Sequence, residues 1–213
     1  MSVPKGRNCR VEIAATFSAA KTVTGVTKAS PGVATSTSHG LAEGVIGYWS
    51  ISAGMTELDG MAGSVDATAT NTFNVEGVDT TNFTTWSAGT FTPVATWITL
   101  STSTAYSIAG GDADEIDKST LLDNSHQLDY GLLGAETVSF DALSDSQLAA
   151  ALQIEAAARA NTAIVFRITL SNGERRVFRG LPTLPSESLQ ISQAASGSFK
   201  VAVVGRVLRL PTA

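Results

Sequence analysis

The sequence predicts a mainly β protein with one α-helix and a small β insertion. Three observations carry this prediction. Short runs that alternate apolar and polar residues recur from Arg10 to Leu210; turns marked by glycine and proline separate them; and one stretch alone, Ser144 to Asn161, carries helix signals at both ends. Alternation with a period of two puts every second side chain on the same face of a strand, so it marks a sheet with a buried face. A chain of 213 residues buries roughly 70% of its unfolded surface, enough for a core without cross-links.

Arg10 to Phe17 opens the series, with Val11, Ile13 and Ala15 on one face. Residues 22–92 have a different texture: Thr, Ser, Gly and Val in short runs, punctuated by Pro31-Gly32, His39-Gly40, Glu43-Gly44, Ala53-Gly54 and Asp59-Gly60. That turn spacing fits a small all-β module or insertion, which leaves 1–21 and 93–213 as the core domain. Pro93 to Leu100 alternates again through Val94, Thr96, Ile98 and Leu100, and Tyr106–Ile108 and Thr137–Phe140 are shorter strand candidates.

The helix is predicted over 144–161. Ser144 as N-cap and Gln147 three residues on make a capping box, and Leu143 with Leu148 can close a hydrophobic staple. Alanine and leucine, strong helix formers, follow, and Asn161 tolerates the left-handed conformation of a C′ residue. The surface is apolar nearly all round, with Glu155 and Arg159 the charged pair of the second half. Such a helix is usually buried on several sides. It either lies on its own sheet as a poorly amphipathic alanine helix or is also covered by a neighbouring subunit, with Ala150 and Ala157 as candidate inter-subunit positions.

Ile164 to Leu170 alternates strictly, and Asn172-Gly173 suits a two-residue type I′ turn before Arg175 to Arg179 returns. Ile164, Phe166, Ile168 and Leu170 should face a core. Arg167, Arg175, Arg176 and Arg179 are expected to form a basic patch and are further candidate inter-subunit residues. Leu189–Gln193 and Phe199–Leu210 are the last predicted strands.

Charged residues make up 15% of the chain and the net charge is −5. Residues 1–159 hold seven Lys/Arg and seventeen Asp/Glu, a balance of −10; residues 160–213 hold seven and two, a balance of +5. The two parts are suited to attract each other across copies. A single cysteine, Cys9, leaves no internal disulfide framework and fits an intracellular site of folding. No apolar stretch approaches a membrane span, and the basic residues before Arg10 have no apolar run behind them, so no signal peptide is expected.

The chemistry of catalysis finds little footing. His39 sits in a His-Gly turn and His126 in a polar loop, neither with a Cys or carboxylate at metal-ligand spacing. There is no G-x-S-x-G elbow and no nucleotide-binding glycine fingerprint. Gly110 to Asp117 is acidic but lacks the central glycine and terminal glutamate of a calcium loop. The arginine hairpin has no interleaved aromatics for stacking bases, and Trp49, Trp86 and Trp97 are expected in the core or an interface. No catalytic, cofactor-binding or metal-ligating residue is predicted.

The run Tyr106-Ser107-Ile108, Asp114-Glu115-Ile116-Asp117-Lys118-Ser119-Thr120-Leu121-Leu122, Gly131-Leu132-Leu133 and Glu136-Thr137-Val138-Ser139-Phe140 resembles the tail tube (major tail) proteins of long-tailed bacteriophages. There an acidic D-x-I-D-x-T-x-L segment leads to a G-L step, a V-S-F strand, a helix and a hairpin of the form seen at Ile164 to Phe178; here Ser119-Thr120 is offset from the usual single Thr. The resemblance covers residues 93–210 and 10–17. Residues 22–83, through His39-Gly40-Leu41, Gly54-Met55-Thr56-Glu57-Leu58-Asp59-Gly60 and Asn71-Thr72-Phe73-Asn74-Val75, resemble a small β module of phage structural proteins, with Ile46-Gly47-Tyr48-Trp49 departing from its usual strand.

The resemblance implies a β-sandwich of the tail tube type, flanked by one helix and lending strands to an oligomeric β-barrel. It implies a non-enzymatic virion protein, made in the host cytoplasm, whose homohexameric rings stack into a tail tube. Its implied partners are itself, the tape-measure protein, the tail terminator and the distal tail proteins. Viral DNA would pass through the lumen without sequence-specific binding, and no membrane insertion is expected. Asp112, Asp114, Glu115 and Asp117 are candidates for the lumen or the ring-to-ring joint, since a lumen should avoid the cationic contacts that hold phosphates. The alternative is a phage surface or baseplate β protein that binds host carbohydrate through residues 22–92.

Overall fold

A computed structural model describes residues 6–145 and 147–212. The first half contributes β1 (Arg10–Phe17), β2 (Lys21–Val23), β3 (Gly25–Val26), β4 (Val33–Thr35), β5 (Ile46–Ala53), β6 (Ala62–Asp66), β7 (Thr72–Val75) and β8 (Ala88–Thr99). The second half contributes β9 (Ser103–Ala109), β10 (Ala113–Asp117), β11 (Leu128–Leu133), β12 (Thr137–Leu143), α1 (Ala149–Arg159), β13 (Ile164–Thr169), β14 (Arg175–Pro182) and β15 (Ser196–Leu210). The protein is mainly β with one helix, as the sequence predicts.

Thirteen strands join one antiparallel sheet in the order β3-β4-β7-β6-β5-β8-β1-β13-β14-β15-β12-β9, with β2 beside β8. The sheet curls strongly, and in two senses. At one end it folds back so that Phe140 of β12 lies 5.8 Å from Phe166 of β13, although β14 and β15 separate their strands. Phe166 and Phe178 pair across β13 and β14 at 5.1 Å, and Phe140 and Phe199 pair across β12 and β15 at 4.9 Å. Such cross-strand aromatic pairs add to the burial of the rings themselves. Ile164, Phe166, Ile168 and Leu170 all face this core, which α1 covers with Ala150, Ile154 and Ala157.

At the other end the strands of residues 22–92 roll over the opposite face of the same central strands. Trp49, Phe73, Phe91, Met55 and Leu58 pack there against Val165, Val177 and Leu208. β8 pairs with β5 on one side and β1 on the other, so a single strand runs from one core to the other. Trp49 and Trp86 sit in or against this core, and Trp97 packs at its margin.

Three local expectations are corrected. The helix begins at Ala149 with Leu148 as N-cap and no side-chain cap, not at Ser144. Ser144 is engaged elsewhere: its N–H donates to Ala195 O at 2.8 Å and its hydroxyl to Glu187 at 2.9 Å. Leu143 is the last residue of β12, so neither capping box nor staple forms; the predicted first turn also includes Ser146, outside the described residues. The helix end is as expected. Asn161 has φ +49°, and Thr162 N–H bonds Ala157 O at 2.9 Å while Asn161 N–H bonds Ala158 O at 3.2 Å, a Schellman motif.

The β13–β14 loop has three residues, not two. Gly173 N–H donates to Leu170 O at 2.9 Å and Gly173 alone takes positive φ, +86°, as in a type I turn closed by a left-handed residue. Leu189–Gln193 is not a strand; only Ser188 and Ser196 form a bridge there. Nothing in the described chain covers Leu189 or Ile191, so their alternation has no buried face to serve.

Candidate assembly surfaces

The acidic segment folds into a two-stranded hairpin of its own, β10 with β11. Residues 114–132 are exposed throughout. Asp114, Glu115 and Asp117 lie on β10, with Asp112 just before it. The turn is held by side chains. Asp117 accepts from Ser119 N–H at 2.8 Å, Asp123 accepts from Thr120 N–H at 2.7 Å, and Lys118 pairs with Asp129. Hydrogen bonds from Ser119 and Thr120 hold the Asp117 and Asp123 carboxyls below their ordinary range, and the bond from Lys118 does the same for Asp129. His126 approaches Asp117 at 3.5 Å.

The apolar side chains of this hairpin have no cover. Leu121 and Leu122 are 106% and 93% exposed, and Ile116, Leu128, Tyr130 and Leu132 are exposed as well. An isolated two-stranded hairpin is marginal in water, and an apolar patch of this kind marks an interaction site. The sequence signal lay in Ile116, Leu121 and Leu122, apolar residues in an otherwise polar run; attention to the acidic residues passed over them.

β9 is a second open feature. It pairs with β12 and, among the described residues, with no other strand. Its sequence, Ser103-Thr104-Ala105-Tyr106-Ser107-Ile108-Ala109, has no charge and no proline. Edge strands are normally guarded by lysine, proline or a bulge against pairing with another chain; β9 carries neither residue, and its register with β12 shifts once, at Thr104 near its start.

The arginines do not form one patch. Arg167 stacks over Trp97 at 4.4 Å and bonds the buried Glu12 at 2.7–2.8 Å. Arg175 is buried and meets Glu76 of the 22–92 segment at 3.3 Å. Arg179 lies 4.5 Å from the Tyr48 ring and donates to Gly60 O at 3.3 Å, and burial pushes its pKa below the usual value. Arg176 points to the other face, bonded to Glu174 at 2.7 Å. Alternation along β14 divides 175 and 179 from 176, and the curl of the sheet covers the first pair. Two of the seven cations of residues 160–213, Arg167 and Arg175, therefore meet carboxylates of the first part within one copy.

The helix also turns its faces otherwise than expected. Ala150 and Ala157 point into the chain's own core; the outward side carries Ala149, Leu152 and Ala156, with Leu152 50% exposed. Glu155 and Arg159 pair at 2.6 Å. His39 is buried, with Nδ1 accepting from Leu41 N–H at 2.9 Å and Nε2 at 3.2 Å from Thr72 O. Among the described residues no three His, Cys, Asp or Glu converge as for a metal, and no helix is long and apolar enough to cross a membrane.

A family model described as phage tail tube protein matches residues 53–210. The chain belongs to the phage tail tube proteins. The match spans the hairpin, the open edge and both cores, and it begins inside the 22–92 segment. Tail tube membership makes this a structural component of the virion tail, and it implies assembly with itself and with other tail components. No curated protein matches the chain.

Proposed function

We propose that this tail tube protein closes into rings of six copies that stack into a conduit for the viral genome. The observation that carries the reading is the open edge of β9, a seven-residue strand with no charge and no proline. An open edge is satisfied by a neighbour's strand, and a head-to-tail contact that closes on itself makes a ring and leaves no edge. Beside β9, where β12 pairs with residues 196–202 of β15, the outward face carries Thr137, Ser139, Ser198 and Ala202, with Asp141 and Lys200 as its charges; Arg206 and Arg209 are exposed further along β15. Such a face offers few cations to grip a phosphate backbone. Asp112, Asp114, Glu115 and Asp117 belong on this reading to the joint between rings, beside the exposed hairpin leucines. Residues 22–92 form a module set outside the tube wall, with 1–21 and 93–213 as the wall itself. The tape-measure protein fills the lumen before the genome passes, and the tail terminator and distal tail proteins bind the tube ends. The chain is made in the host cytoplasm and works without catalysis.

Electron microscopy of the purified full chain, with light scattering across concentration, tests this. Rings or tubes with a central hole are expected. A monomer at every concentration refutes it.

A further inference from the structure

The hairpin has a counterpart at the far end of the same strands. A groove of about 320 Å³ opens between α1, the end of β12 and the 184–187 loop. Leu100, Ile154 and Phe199 form its floor, and Leu143, Leu184 and Pro185 its walls. Leu143 and Leu184 are exposed. β9 leads into the hairpin at Ala109 and starts beside the groove at Ser103, while β12 leaves the hairpin at Thr137 and reaches the groove at Leu143. Seven residues of strand put about 20 Å between the two features. One copy therefore presents an uncovered apolar projection at one end and a recess with an apolar floor and a polar rim at the other.

We infer that the Leu121–Leu122 tip of one copy seats in the α1 groove of the next. This deepens the assembly reading and rests on it. The occupant is a second copy for two reasons. First, the family assembles with itself, and a projection and recess at opposite ends repeat without limit when copies stack, as a heterologous contact does. Second, the area fits. Leu121 and Leu122 at the tip, with Leu128, Tyr130 and Leu132 on one face of the hairpin, expose the equivalent of about four whole side chains, on the order of 400 Å² at roughly 100 Å² each. Interfaces are about 57% apolar, so this patch matches a total near the roughly 800 Å² that each partner gives to a stable interface. The leucines are the anchors, and the groove rim of Glu155, Arg159 and Glu187 stays at the wet margin.

The test uses full-length variants and no other protein. Leu121→Ser with Leu122→Ser removes the anchors from a fully exposed tip and leaves both cores intact. It is expected to raise the concentration needed for stacking by about tenfold or more, the loss of part of a buried leucine's contribution, while thermal unfolding of the unassembled chain is unchanged. Leu122→Cys with Ser186→Cys, in a chain whose Cys9 is replaced by serine and oxidised after assembly, is expected to give a ladder of covalent multimers on a non-reducing gel that neither single variant gives. Tubes that form normally with the serine pair, or that give no ladder with the cysteine pair, overturn the inference and leave ring formation standing. A covalent dimer from Leu122→Cys alone shows tip against tip and also overturns it. A wild-type chain that never assembles overturns both readings together.

Discussion

Ala150 and Leu152 are two residues apart on one helix, and their faces predict opposite outcomes for the same substitution. Ala150 is fully buried against the phenylalanine core, whereas Leu152 is half exposed. Ala150→Glu forces a longer side chain into packed space, about 1–3 kcal/mol. It also buries a carboxyl with no partner, about 1–3 kcal/mol more even when the group is protonated. The total is about 2–6 kcal/mol. In a chain of this length each kcal/mol shifts Tm by about 2–4 °C, so a fall on the order of 10 °C is expected. Leu152→Glu keeps a good helix former on the solvent side and should cost no more than about 1 kcal/mol. Circular dichroism melts of both variants, at concentrations where the chain is unassembled, decide the matter. Melting of Ala150→Glu within about 3 °C of Leu152→Glu would refute the helix orientation and the core assigned to it. If α1 also meets a neighbour, Leu152→Glu is the variant that folds and fails to assemble.

Acid should loosen the hairpin turn before the cores. Asp117, Asp123 and Asp129 are held below their ordinary 3.8 by hydrogen bonds. Their contribution is complete above that value and is lost as the pH falls through the depressed folded values. Amide protection factors at Ser119 and Thr120, corrected for the intrinsic pH dependence of exchange, should hold at mildly acidic pH and fall as the carboxyls protonate; factors that do not change when the carboxyls are protonated would contradict the bonding. The Arg175–Glu76 pair makes a different prediction, because both side chains are close to nine-tenths buried. Arg175→Met strands the carboxylate, at a cost of about 3–5 kcal/mol. Adding Glu76→Gln should return at least about 1 kcal/mol in urea titrations, and strict additivity of the two would mean that the groups do not interact.

Strand alternation was the most legible signal. Arg10–Phe17 and the Ile164–Leu170 run appear where their periodicity puts them, because each has a face against the phenylalanine core. The end of the helix was legible too, since Asn161 and its Schellman bonds are local. Its start was not. Ser144 has two uses, as a cap or as a partner for Glu187 and Ala195, and the choice depends on a loop that is distant in sequence. The arginines failed as a patch for the same reason: which face of β14 is covered depends on the curl that carries Glu76 over it. The hairpin tip was hidden because its leucines contact nothing in the chain that could explain them, and its acidic residues drew attention first.

The position of β1 has a consequence in time. This early strand sits near the middle of the sheet, and its partners are far along the chain: Thr16 meets Thr96, 80 residues on, and Glu12 meets Arg167, 155 residues on. At synthesis rates of about 5–20 residues per second, β1 waits roughly 8 to 30 s for its second neighbour. Through that interval Val11 and Ile13 have no finished core, and β1 has one open side. Contacts so distant in sequence also slow folding, because loop closure comes before the reward. The competent subunit therefore appears late, and a truncated chain that stops short of β13 would leave the ribosome with its central strand paired on one side only.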